Sequence, residues 1–206
     1  MSASHLQRSP QEIERRAEAG DAESQFLLGC LHARRWQAAC HKAGRENKKG
    51  KAGSKPKDGP QALQSKAMAW LERAARQRHQ NAMLTLAQIG LDQHVAGEVQ
   101  ERAVQWLRQA AELGMPSAQA LLGELYGKGY ISADGKFWLG KDYNESARWL
   151  KKAAEADIVS AQFALCCLYT EGWGVSQDDE QAKLWLKRAA NNGHAQAKGI
   201  LTLNAR

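Results

Sequence analysis

Apolar residues along this chain recur at helical spacing, and no stretch alternates convincingly as a strand. The clearest stripe is Ala67, Trp70, Leu71, Ala74 and Ala75, one face of a helix that restarts at Pro60. Its core, Trp-Leu-x-x-Ala-Ala, returns at Trp106, Trp149 and Trp185, so the four tryptophans step by 36, 43 and 36 residues. A period in that range marks stacked supersecondary units, none of which can bury its apolar face alone. Each stripe is followed by a second apolar helix that begins near Ala82, Ala118, Ala161 or Ala197. The remaining periodicity predicts helices over 10–19, 22–35, 97–113, 116–128, 142–156, 158–170, 178–192 and 194–204. The fold class is all-α: a solenoid of helix-turn-helix repeats. A capping helix is expected within 1–20, about four repeats starting near 22, 82, 118 and 161 within 21–206, and a C-terminal capping helix near 194–204.

Small residues carry the packing logic. Ala74, Ala110, Ala153 and Ala189 follow each tryptophan at the same interval, allowing close helix approach, while each tryptophan fills the gap between neighbouring pairs. Ser9, Pro10 and Glu12 read as an N-cap, a first helical position and a capping-box partner, and Gly20 stops the helix. Gly114 and Gly193 occupy helix-to-helix turns that favour a left-handed residue. Arg78 and Asp157 stand at the equivalent places, so less regular turns are expected there.

Ala118-Gln119-Ala120-Leu121-Leu122-Gly123-Glu124-Leu125-Tyr126 closely resembles the Sel-1-like repeat family, related to tetratricopeptide repeats. So does Ala161-Gln162-Phe163-Ala164-Leu165-Cys166-Cys167-Leu168-Tyr169, followed by Gly172-Trp173-Gly174-Val175 and then Asp178, Ala182, Trp185 and Ala189-Ala190. Ser24-Gln25-Phe26-Leu27-Leu28-Gly29 begins another such unit, interrupted before Trp70. The unit from Ala82 departs from the pattern, with Ala87 at the glycine position and Gly90 at the tyrosine position.

The resemblance implies a right-handed α/α superhelix and an adaptor that binds a protein or peptide in a concave groove lined by the first helix of each pair. Register matching then places Glu23, Phe26, Cys30 and Arg34 in the groove, followed by Asn81, Leu84, Gln88 and Asp92. Ser117, Ala120, Glu124 and Lys128 come next, then Ser160, Phe163, Cys167 and Glu171. Phe26, Leu84 and Phe163 share one register position, either as an apolar stripe for a partner helix or extended peptide, or as packing against neighbouring helices. Some co-chaperone relatives clamp a carboxylate with Lys and Asn at groove positions, and no such set is present. Cysteine-rich relatives that bind β-lactams pair cysteines within each repeat; that pairing is missing here, so a β-lactam-type hydrolase, the third reading, loses its strongest support.

Composition changes the picture in one place. The chain has 206 residues and a net charge of +7, of which residues 42–57 contribute +6 through seven Lys/Arg and one Glu. With its Gly, Ser and Asn content, the stretch 43–59 is expected to be a disordered loop. It reads as a solvated insertion, a nucleic-acid arm or a docking site for an acidic protein; it lacks any aromatic side chain to stack bases. Trp36, Trp138 and Trp173 fall near connections between the helices of a repeat, where they either staple their loops or form an aromatic edge.

No catalytic grammar emerges. No Ser or Cys sits in a nucleophile motif and no glycine-rich loop follows a strand, so the chain is expected not to be an enzyme and to need no cofactor. Cys30, His32, Cys40 and His41 are soft ligands, but on a helix Cys30 and His32 lie about 200° apart, and no metal site is expected. Four cysteines are too few and too unevenly spaced for a disulfide framework. No apolar run spans a bilayer, and residues 1–11 lack the apolar core of a secretory signal. A cytoplasmic monomer is expected.

Overall fold

The computed structural model describes residues 9–49, 59–91, 97–132 and 134–204. Its helices, in chain order, are α1 (Pro10–Glu18), α2 (Ala22–Lys49), α3 (Pro60–Arg76), α4 (Gln80–Gly90), α5 (Gly97–Glu112), α6 (Pro116–Lys128), α7 (Tyr143–Glu155), α8 (Val159–Glu171), α9 (Asp179–Asn191) and α10 (Ala195–Asn204). Between α6 and α7 lies a short antiparallel pair, β1 (Tyr130–Ile131) and β2 (Trp138–Leu139). The chain divides into two compact units, Met1–Leu86 and Ala87–Arg206. In the first, α2 packs on α1 and α3. In the second, α6 packs on α5 and α7, α8 on α7 and α9, and α10 on α9.

The helix starts follow local chemistry. The Ser9 hydroxyl accepts from the Glu12 N–H at 3.2 Å, with Pro10 at the first helical position. Asp142 and Asp178 cap α7 and α9 identically, each carboxylate accepting two backbone N–H groups at 3.0 Å.

Helix ends are equally uniform. At five turns the residue after the C-cap has positive φ: Gly20 (98°), Arg78 (62°), Gly114 (84°), Asp157 (60°) and Gly193 (99°). In all five, its N–H and the next one donate back to the last turn, as when the Arg78 N–H meets the Ala75 carbonyl and the His79 N–H meets that of Ala74. This is the Schellman arrangement. The expectation of less regular turns at Arg78 and Asp157 is therefore corrected: both adopt the glycine conformation, at a cost of about 1–2 kcal/mol each, because the pair of backbone bonds and helix packing on both sides determine it.

Ala-Ala pairs supply those carbonyls at four of the turns and Arg16 with Ala17 at the first, and at three of the five a buried glutamine reads one of the same atoms. Gln25 Nε2 donates to the Ala17 carbonyl at 3.0 Å, Gln119 to Ala111 at 3.1 Å and Gln162 to Ala154 at 3.3 Å. On the other side, the C-cap residue of the following helix donates to the glutamine oxygen: Gln77 to Gln25 at 2.9 Å and Asn192 to Gln162 at 3.0 Å. One amide thus ties three helices.

Packing follows the alanine rule, since all eight register alanines, from Ala74 and Ala82 to Ala189 and Ala197, are fully buried. Leu71 lies against α2 at Gly29, where an added Cβ would stand 2.6 Å from its Cγ; Leu150 lies the same way against α6 at Gly123, at 2.7 Å. Of the tryptophans, Trp149 and Trp185 are buried, whereas Trp70 and Trp106 stay partly exposed. Cations cap three of them: Arg73 over Trp70 and Arg148 over Trp149 at 4.5 Å, and Arg188 over Trp185 at 5.1 Å.

Three further expectations change. Helix α2 continues past residue 35 to Lys49, because Gln, Ala, Lys, Arg and Glu are good helix formers whatever their charge. The remainder of the expected loop, 50–58, lies outside the described residues. Trp36 is not on a connection: it sits within α2 and is buried. The hairpin answers the longer step of 43 residues; there the Ser132 hydroxyl and the Lys136 N–H both donate to Asp134, holding its carboxyl below the usual range.

Two stability changes follow. Gln162→Leu leaves the Asn192 amide and the Ala154 carbonyl short of a partner and is expected to lower unfolding free energy by about 1–3 kcal/mol, read as a lower urea midpoint. Arg78→Gly, which keeps the turn and removes the positive-φ penalty, is expected to raise the thermal midpoint, a gain of up to about 1 kcal/mol.

Candidate functional site

Helix α8 presents two faces. Ala161, Leu165 and Leu168 enter the core, while Ser160, Phe163, Cys167 and Glu171 follow one another at helical spacing on the other side. The Phe163 ring stacks on His194 at 4.2 Å between centroids, with 17° between planes. His194 is the residue before α10, and its Nδ1 accepts from the Ala197 N–H at 3.4 Å.

The opposite wall comes from the α8–α9 connection. Gly172, with φ 70°, ends α8 in the left-handed region, and the Trp173 N–H donates to Leu168 at 3.0 Å. Gly174 also has φ 70°, and a Cβ there would run into the Tyr143 carbonyl. Only glycine lets the loop lie this close to the start of α7. Trp173 is thereby seated on the Tyr143 ring at 5.1 Å, with nearly half its surface exposed.

Between these walls is an open hollow of about 430 Å³. Phe163, Trp173, Tyr143, Leu150 and Leu168 make it apolar, and Ser160, Cys167 and His194 add polar atoms. Glu124 and Lys128 stand at its edge, paired at 3.2 Å. Phe163 and Cys167 also border a second hollow of about 390 Å³, with Glu171, Asp179, Lys183 and Ile200.

Of the residues expected in the groove, five therefore come together around the larger hollow: Glu124, Lys128, Ser160, Phe163 and Cys167. Glu171 joins the smaller one. Ser117 is exposed on α6 outside both, and Ala120 is buried in the core. In the first unit Glu23, Phe26, Cys30 and Arg34 lie along one face of α2. Phe26 stacks on His79 at 4.7 Å, and Glu23 Oε2 lies 2.9 Å from His79 Nε2. On α4, Leu84 is half-buried and Asn81 and Gln88 are exposed; Asp92 lies outside the described residues. Phe26 and Phe163 thus each pack on a histidine, as the packing alternative has it, and both keep part of their surface exposed.

Sequence reasoning missed His79, His194 and Tyr143. The signal available was that both histidines follow a turn residue at the same place, before Asn81-Ala82 and Gln196-Ala197. Trp138, on β2, is 70% exposed opposite Ile131 and borders a separate hollow with Lys128 and Lys141.

Burial pushes the Cys30, Cys166 and Cys167 thiols up, Arg34 opposing this at Cys30, so they stay protonated at neutral pH. All four cysteines are unpaired. Cys30, His32, Cys40 and His41 all lie on the single helix α2, and among the described residues no group of three or more His, Cys, Asp or Glu side chains is placed to hold a metal. No described helix is long and apolar enough to cross a membrane.

The Sel1 repeat profile matches residues 37–79, 86–115, 116–158 and 159–194. The last two segments are α6 with α7 and α8 with α9, the pairs that build the hollow. Among solved structures, the chain is similar to a protective antigen of uropathogenic Escherichia coli with an SLR fold, at 27% identity and a TM-score of 0.70, over 95% of this chain and 36% of that one. It is also similar to a Sel1 repeat protein from Oxalobacter formigenes, at 26% identity and a TM-score of 0.63, over 93% of this chain and 64% of that one. The chain thus spans about a third of the first and under two thirds of the second. No curated protein matches. With four matched segments covering most of its length and an all-α repeat architecture shared with solved SLR proteins, the chain belongs to the Sel1 repeat family, whose members generally serve as protein–protein interaction scaffolds.

Proposed function

We propose that this protein is a non-enzymatic scaffold that binds a peptide segment of a protein partner in the hollow between α8 and the α8–α9 connection. The observation that carries this reading is the pairing of two aromatic walls, Phe163 and Trp173, around an open apolar space of about 430 Å³. Aromatic side chains in such positions dominate binding energy at interfaces. Each is held in place, Phe163 by His194 and Trp173 by Tyr143, so little ordering entropy is lost when a partner arrives. Thiols kept protonated by burial support binding over catalysis, and unpaired cysteines fit a reducing, cytoplasmic setting.

The test is affinity capture of partners by the full chain, followed by binding isotherms with the identified partner. Phe163→Ala is expected to weaken binding by about tenfold or more while circular dichroism shows the helices intact; undiminished, saturable binding by the folded variant would sink the reading. Gly174→Ala should weaken binding as well by driving the loop off the Tyr143 carbonyl and unseating Trp173, with a matching loss of tryptophan fluorescence contrast on titration.

A further inference from the structure

The two units contain the same constellation in different states of completion. In the first, Phe26 stacks on His79, and the imidazole Nε2 meets the Glu23 carboxylate at 2.9 Å. In the second, Phe163 stacks on His194, and the residue three before the phenylalanine is Ser160. Both histidines accept a backbone N–H on Nδ1, Ala82 onto His79 at 3.2 Å and Ala197 onto His194 at 3.4 Å. The neutral ring therefore carries its proton on Nε2 in both. For His79 that proton has a carboxylate acceptor. For His194, which lines the hollow beside Ser160, no side chain among the described residues takes that place. The hollow's other charges, Glu124 and Lys128, are spent on each other.

We infer that the hollow of the second unit recognises an acidic peptide, in which a glutamate side chain docks on His194 Nε2 over Ser160 and a neighbouring apolar side chain seats between Phe163 and Trp173. This rests on the scaffold reading above and adds the chemistry of the partner. The Glu23–His79 contact is the chain's own copy of the interaction, and it shows that a carboxylate three residues from a groove phenylalanine can reach such a ring without disturbing the stack. A carboxylate bound there forms a hydrogen bond beside low-dielectric walls, and one that strengthens if the imidazole is protonated.

The copy also supplies the decisive variant. Ser160→Glu rebuilds the acceptor inside the chain, so the protein should occupy its own site. The probe is a library of short random peptides displayed on phage and selected on the full chain, with the best binder remade as a synthetic fluorescent peptide for titration. The enriched peptides are expected to share a glutamate near an apolar residue. Glutamate-to-glutamine exchange in the synthetic peptide, Ser160→Glu in the protein, and His194→Phe, which keeps the stack and removes the donor, should each weaken binding about tenfold or more. Ser160→Glu should melt no lower than the unmodified chain. If enriched peptides bind in a Phe163-dependent manner but carry no acidic residue, need only a free C-terminal carboxylate, or are indifferent to His194→Phe, the inference is overturned and the scaffold reading stands. If no Phe163-dependent peptide emerges, both fall.

Discussion

Everything in this architecture depends on how one helix ends and the next begins. At each such turn a left-handed residue lets two N–H groups fold back on the carbonyls of the preceding turn, and at the repeat turns those carbonyls belong to the Ala-Ala pair. Alanine is required there for close packing, so the residues that let helices approach are also the ones that present the turn's acceptors. A buried glutamine on the next helix then reads the outer of the two carbonyls, at Ala17, Ala111 and Ala154. Where Met83 stands at the glutamine position, the turn at Arg78 still forms both backbone bonds. The amide is thus a reinforcement, and the backbone pair is the constraint.

The same turn sets the chemistry of the groove. His79 and His194 are the residues whose N–H completes the turn, bonding to Ala74 and Ala189. Their rings cap the next helix, α4 or α10, and stack on a phenylalanine two helices back, on α2 or α8. Stacking geometry and site geometry are therefore one problem, solved at one residue. The two units differ at the position beside that stack, a glutamate in one and a serine in the other, which is enough to leave one imidazole paired and the other facing open space.

Much of the fold was legible because it is written in local signals. The Trp-Leu-x-x-Ala-Ala stripes with their Asp caps, a proline start and helical periodicity mark α6, α7, α8 and α9 to within a residue. What escaped is what depends on distant partners. Arg78 and Asp157 look unsuited to a left-handed turn until the helices on either side are seen to leave no alternative. Trp36 reads as a loop residue only if α2 stops early, and helix propensity carries α2 on through a lysine-rich tract. The histidine partners of Phe26 and Phe163 come from later in the chain, and their shared place after a turn residue marks a position without revealing the ring stack that bridges that separation.

The connection between α6 and α7 is longer than that between α8 and α9, and it carries a hairpin with an exposed tryptophan. Both connections nevertheless close with the same bond, the N–H of the capping aspartate donating to a tyrosine carbonyl: Asp142 to Tyr126 at 2.9 Å and Asp178 to Tyr169 at 3.0 Å. Because that clasp is indifferent to what lies between its ends, the segment it encloses is free to lengthen, shorten or change composition without altering how α7 docks on α6. Such a clasp makes these connections natural grafting points, where new recognition sequences can be exchanged on an unchanged frame, by evolution or by design.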